Sequence, residues 1–142
     1  MEPSLARTEA TSARPIDILI VDDERMILGV AREILSEFGH RVLVAESGPS
    51  ALTILGNEFV DLVITDIMMP QMDGIELSRR VLDQFPTVHV ALMTGYSNLA
   101  LLKEAQELGI TECLKKPFKT WELMGIVNRV AGAVQAKCTQ PT

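Results

Sequence analysis

The sequence predicts an α/β fold, a three-layer (βα)5 sandwich in which a five-stranded parallel sheet lies between helices. Three observations predict it. Apolar runs rich in Val, Ile and Leu recur along the chain, as strands buried on both faces require. Each run is followed by a segment with helical spacing, and that alternation joins parallel strands through right-handed crossovers. The 142 residues, 47% hydrophobic and 23% charged, suit one globular core.

Residues 1–15 are rich in Ser, Thr, Ala and Pro without a hydrophobic period, and read as a flexible N-terminal tail before a domain spanning 16–136. The first strand is "IDILIVD", 16–22. Ile27, Val30, Ile34, Leu35 and Phe38 then fall at steps of three and four, with Gly39 as a stop. "RVLVAE", 41–46, is the second strand and precedes a helix over 50–57. "VDLVITD", 60–66, is the third, followed by a helix over 74–84. The fourth, "VHVALMT", 88–94, leads to a helix over 97–108, with Ser97 as its cap and Gly109 as its end. "TECLK", 111–115, is the fifth, and the last helix covers 120–136 with Leu123, Val127, Val130 and Val134 on one stripe. Residues 137–142 form a second tail.

The formal net charge of -6 disfavours direct nucleic-acid binding, because phosphates repel an acidic surface. Cys113 and Cys138 have neither disulfide-framework nor metal-ligand spacing, which points to a reducing cytoplasm. No apolar run reaches the ~18 residues of a membrane span, and the N-terminus lacks the apolar segment of a signal peptide. A cytoplasmic protein without membrane contact is the expectation.

In an open parallel sheet, sites form outside the carboxyl ends of the strands. The first strand ends at Asp22, Asp23 and Glu24, the third at Asp66, the fourth at Thr94 and Gly95, and the fifth at Lys116 and Pro117. A lone acid after a strand is commonly a helix cap, and Asp23 and Glu24 also suit the first turn of a helix. Acids gathered from several strands, however, repel one another unless a cation neutralises them. The donor set suits a hard divalent ion such as Mg2+. A carboxylate beside such an ion can attack a phosphoryl group, with Lys116 and the Thr94 hydroxyl compensating the charge on its oxygens.

"ILIVDDE", "LVITDIMMPQMDG", "ALMTGYS" and "CLKKPF" resemble, in order and spacing, the signature segments of response-regulator receiver domains of two-component signalling. The resemblance covers residues 16–136 and implies the flavodoxin-like receiver fold. It implies that Asp66 accepts phosphate from a phosphohistidine of a sensor histidine kinase or histidine phosphotransfer protein. Asp22 and Asp23 would hold Mg2+ with Asp66, Asp23 more directly than Asp22, and the Met68 backbone carbonyl would be a further ligand. Lys116 would pair with the phosphoryl oxygens, Thr94 would swing toward them, and Pro117 would follow a cis peptide bond. The readout face would be the fourth helix, fifth strand and fifth helix, addressing a separate output protein or an effector attached in a longer chain. Such a domain phosphorylates and dephosphorylates itself without turning over a substrate.

Cys113 stands where such domains often carry an aromatic switch residue, and reads as a small buried strand cysteine. Met68 and Tyr96 flank the phosphoryl position, and their bulk is expected to hinder hydrolysis. Trp121 is expected to pack over Phe118, with a partner surface as the alternative. His40 and His89 read as structural. Asp73 reads as a turn or cap residue and Pro70 and Gly74 as shaping the loop. Competing readings are a receiver excised from a hybrid kinase or larger regulator, an Asp-nucleophile phosphatase, a flavodoxin-like cofactor binder and a degenerate receiver. "VDDE" lacks the Asp-x-Asp that phosphatase needs, "DDERM" would repel a cofactor phosphate, and the intact acids, threonine and lysine disfavour degeneracy.

Overall fold

The computed structural model describes residues 14–95 and 99–139. Five strands and five helices alternate along them: β1 (Asp17–Val21), α1 (Arg25–Glu37), β2 (Arg41–Ala45), α2 (Gly48–Asn57), β3 (Leu62–Asp66), α3 (Gly74–Gln84), β4 (His89–Thr94), α4 (Leu99–Glu107), β5 (Glu112–Lys115) and α5 (Thr120–Thr139). The strands form one parallel sheet in the order β2-β1-β3-β4-β5. This is the expected α/β sandwich. The chain moves outward to β2 on one side of β1 and to β3, β4 and β5 on the other, so its direction reverses between β1 and β3. Ligand sites of open sheets form at such a reversal.

Because side chains alternate along a strand, the two faces of the sheet feed separate cores. Ile18 and Ile20 of β1 and Leu62 and Ile64 of β3 pack with Leu28, Leu35, Leu123 and Val127 of α1 and α5. Leu19, Val21 and Val63 point the other way, against Ala51, Leu55, Leu77 and Val81 of α2 and α3. A smaller cluster of Ile67, Ile75, Leu92, Ala105 and Ile110 seats α4, whose buried residue is Ala105.

Helix ends follow local chemistry. Ser47 caps α2 by accepting from Ser50 N–H at 3.2 Å, and Asp73 caps α3 by accepting from Glu76 N–H at 2.8 Å, the cap role expected of it. Gly39 and Gly109, at φ of 92° and 89°, supply the left-handed turns after α1 and α4. Ser97 and Tyr96 lie outside the described residues.

Several expectations need correction. The buried stripe of α1 is Leu28, Ala31 and Leu35 with Ile27 and Ile34 beside it, whereas Val30 and Phe38 are exposed. The true stripe is rotated from the one read at Val30 and Phe38, with the small Ala31 at its centre. Trp121 is 69% exposed and does not pack inward; Phe118 instead meets the core. Two residues on, Leu123 takes the buried position of α5. Cys113 is exposed rather than buried: it stands on the edge strand β5, where it lines a cavity with Leu92, Leu102 and Ala105. Helix α5 runs to Thr139, three residues beyond the expected 136. His40 is structural as expected: buried, its Nδ1 accepts the Ile16 N–H at 3.0 Å.

Candidate functional site

Adjacent β1 and β3 pair with Ile20 opposite Ile64 and Val21 opposite Thr65. Asp22 and Asp66, each the next residue, therefore reach the carboxyl edge of the sheet at one level. Asp22 is fully buried; its Oδ1 accepts the Glu24 N–H at 2.9 Å and its Oδ2 lies 2.9 Å from Lys116 Nζ. Asp66 is buried as well, with Oδ2 at 3.2 Å from the same ammonium and Oδ1 accepting the Met68 N–H at 3.4 Å. Asp23 is exposed beside them, and one carboxylate oxygen from each of Asp22, Asp23 and Asp66 lies within 4.8 Å of the others.

Lys116 arrives from the far edge of the sheet. Its N–H donates to the Thr94 carbonyl at 2.8 Å, which ties the end of β5 to the end of β4, and the Lys116–Pro117 peptide is cis. Thr94 is buried at the last position of β4, and Gly95 after it lines a cavity of about 590 Å3 shared with Asp23, Asp66, Met68 and Lys116. Thus Asp22, Asp23, Asp66 and Lys116 share one centre, with Thr94 at the end of β4 and Met68 on the loop after β3 beside it.

Burial pushes the Asp22 carboxyl above its ordinary range, and the neighbouring Asp66 charge adds to that; the Glu24 N–H and Lys116 oppose it without prevailing. Burial also works against the Lys116 charge, but the Asp22 hydrogen bond and the charges of Asp22 and Asp66 outweigh it and raise its pKa. The centre is therefore rich in oxygen donors whose mutual repulsion a cation relieves. Its all-oxygen donor set fits a hard divalent ion such as Mg2+, which takes two carboxylates or so and keeps its remaining water shell.

The loop after Asp66 is shaped to hold that acid in place. Gln71 adopts a left-handed φ of 72°, and Gly74 donates its N–H to the Ile67 carbonyl at 2.8 Å. A Cβ on Gly74 would overlap the Asp66 carbonyl oxygen and approach Ile67 Cα to 2.8 Å, so glycine is required there for close backbone approach.

Two residues of the site had no role there in the sequence reading. Glu24 places Oε1 at 3.4 Å from Lys116 Nζ, and Ile27 lines the cavity. Glu24 read as an acid at a helix start, and only the loop geometry joins it to a lysine ninety-two residues away.

Residues 18–128 match the model of the response regulator receiver domain family. Sporulation initiation phosphotransferase F of Bacillus subtilis is 36% identical over 112 residues, 79% of this chain and 90% of the relative. Response regulator protein FleR of Pseudomonas aeruginosa is 34% identical over 114 residues; the match takes 80% of this chain but only 24% of FleR. Among solved structures, the signal receiver domain of an HD domain-containing protein from Pseudomonas fluorescens superposes with a TM-score of 0.82 at 32% identity, covering 87% of this chain and 99% of that one. The chain belongs to the response regulator receiver domain family, whose members are signalling domains. No helix among the described residues is long and apolar enough to cross a membrane.

Proposed function

We propose that this domain is the phosphoacceptor of a two-component phosphorelay, with Asp66 as the residue that is phosphorylated. The observation that carries the reading is the buried Asp66 carboxylate within 3.2 Å of the Lys116 ammonium and beside the acids Asp22 and Asp23. The Asp66 carboxylate attacks phosphorus in line. An O–P bond forms as the P–N bond of a phosphohistidine breaks, and that bond's electron pair returns to the imidazole nitrogen. Lys116 donates to the phosphoryl oxygens, and the Thr94 hydroxyl turns toward them, which biases an existing equilibrium toward the active arrangement. Asp22, Asp23, Asp66 and the Met68 carbonyl would hold Mg2+. When bound, that ion offsets the repulsion among the carboxylates and the charge on the phosphoryl group.

Water later attacks phosphorus, which releases phosphate and restores the Asp66 carboxylate, so the domain turns over no external substrate. The half-exposed Met68 side chain at the cavity, with Tyr96, slows that water. The donor is a sensor histidine kinase or histidine phosphotransfer protein in the cytoplasm, and output passes to a separate protein or an effector joined to the domain. The receiver unit runs from residue 16 through the end of α5 at Thr139, after a lead-in at 1–15. An acid-nucleophile phosphatase is disfavoured by the absence of Asp-x-Asp after β1.

Incubation with acetyl phosphate, followed by intact-mass measurement, tests the reading. One phosphoryl adduct with Mg2+ present and none with excess chelator is the expected result; an adduct indifferent to the ion contradicts it.

A further inference from the structure

We propose that Glu24 is a positioning residue that holds Lys116 at the mouth of the site and competes for it with the phosphoryl group, an inference that rests on Asp66 being the phosphoacceptor. The Lys116 ammonium has three carboxylate neighbours: Asp22 at 2.9 Å, Asp66 at 3.2 Å and Glu24 at 3.4 Å. An ammonium has three N–H donors, so the set is saturated before a phosphoryl oxygen arrives. One neighbour must yield. Asp22 is fully buried and Asp66 carries the phosphoryl group, whereas the Glu24 side chain is 64% exposed and can rehydrate at little cost.

The local backbone supports a role outside the helix. Glu24 occupies the N-cap position of α1 with extended φ and ψ of -97° and 110°, yet its side chain makes no capping hydrogen bond. Ser, Thr, Asp and Asn are the residues that cap well there. The Glu24 N–H is meanwhile fixed to Asp22 Oδ1 at 2.9 Å, so the point from which its side chain departs is set by the buried acid of the site. Glu24 thus leaves its own helix uncapped and spans the gap to Lys116. Its charge adds to the attraction for a cation and to the repulsion of an incoming phosphoryl dianion.

Two ligands separate these effects: Mg2+ alone, followed by calorimetry, and beryllofluoride at saturating Mg2+, a tetrahedral phosphoryl mimic followed by fluorine NMR. Glu24→Gln removes the charge and leaves a weaker acceptor. Glu24→Asp keeps the charge but is too short to reach Lys116. Because exposed ion pairs are worth little, each effect is expected at about two- to fivefold. Both variants should bind beryllofluoride more tightly than the unsubstituted protein. Only Glu24→Gln should bind Mg2+ more weakly. Opposite signs for the two ligands exclude a general loosening of the fold. Equal beryllofluoride affinity in all three proteins, or a gain in Glu24→Gln that Glu24→Asp does not share, overturns the proposal. If the unsubstituted protein takes up no beryllofluoride, the phosphoacceptor reading fails, and this one with it.

Discussion

Lys116 Nζ lies 3.2 Å from Asp66 Oδ2 although fifty residues separate them in the chain. Two strand ends on different parts of the sheet have to be in register for that contact to form. The paired Thr94 and Lys115 and the Lys116 N–H on the Thr94 carbonyl hold the β5 end, while β1 and β4 flank the β3 end. The sheet is what fixes the chemistry, and changes that disturb its carboxyl edge have predictable effects.

Asp22 is held at a cost. Since burial raises its pKa in the folded protein above 3.8, its contribution opposes folding: the penalty is absent below that value and grows as pH rises through the raised folded pKa. Asp22→Asn keeps an oxygen for the Glu24 N–H and removes the charge. In Mg2+-free buffer at neutral pH, calorimetry should show Tm higher by about 2–5 °C, while the Mg2+-induced rise in Tm shrinks. A lower Tm in Mg2+-free buffer would refute the assignment of strain to this acid.

His40 gives the fold a pH dependence of opposite sign. Burial lowers its pKa below 6.5, and its neutral Nδ1 accepts the Ile16 N–H at the entry to β1. A depressed folded value means that the unfolded chain binds the proton first. Its stabilising contribution is complete above 6.5 and is lost as pH falls from there toward the folded pKa. Urea denaturation at several pH values should show stability declining below 6.5. In His40→Asn, which retains an acceptor without titrating, the decline should be shallower; an unchanged slope would remove His40 as its source.

Gly74→Ala tests the loop. The added methyl would meet the backbone of Asp66 and Ile67, which cannot rotate away as a side chain can. Denaturant titration should register a loss of about 1–3 kcal/mol, and acetyl phosphate should label the variant less than the parent. Full stability would show that the loop has slack.

Trp121→Ala should change stability by less than about 0.5 kcal/mol, because a side chain this exposed carries little of it. A larger loss in a urea titration would show that the ring is packed after all.

Much of this was legible in the sequence because strand and helix periods are local signals. Ile18, Ile20, Leu62 and Ile64 announce doubly buried strands, and a parallel sheet brings every strand's carboxyl end to one edge. Asp22, Asp66, Thr94 and Lys116 could therefore be grouped without coordinates. What depended on lateral strand order could not be read locally. Cys113 looks like any strand cysteine until β5 is known to be an edge strand. Glu24 is a subtler case: the sequence marks it as an acid at a helix start, but its partner depends on where the loop from β1 turns.

The most direct measurement of the central claim locates the phosphoryl group. After acetyl phosphate and Mg2+ treatment, tandem mass spectrometry of the digested protein should place the group on Asp66, and the Asp66→Asn variant should carry none. A group on any other residue, or an adduct that persists in Asp66→Asn, would contradict the account.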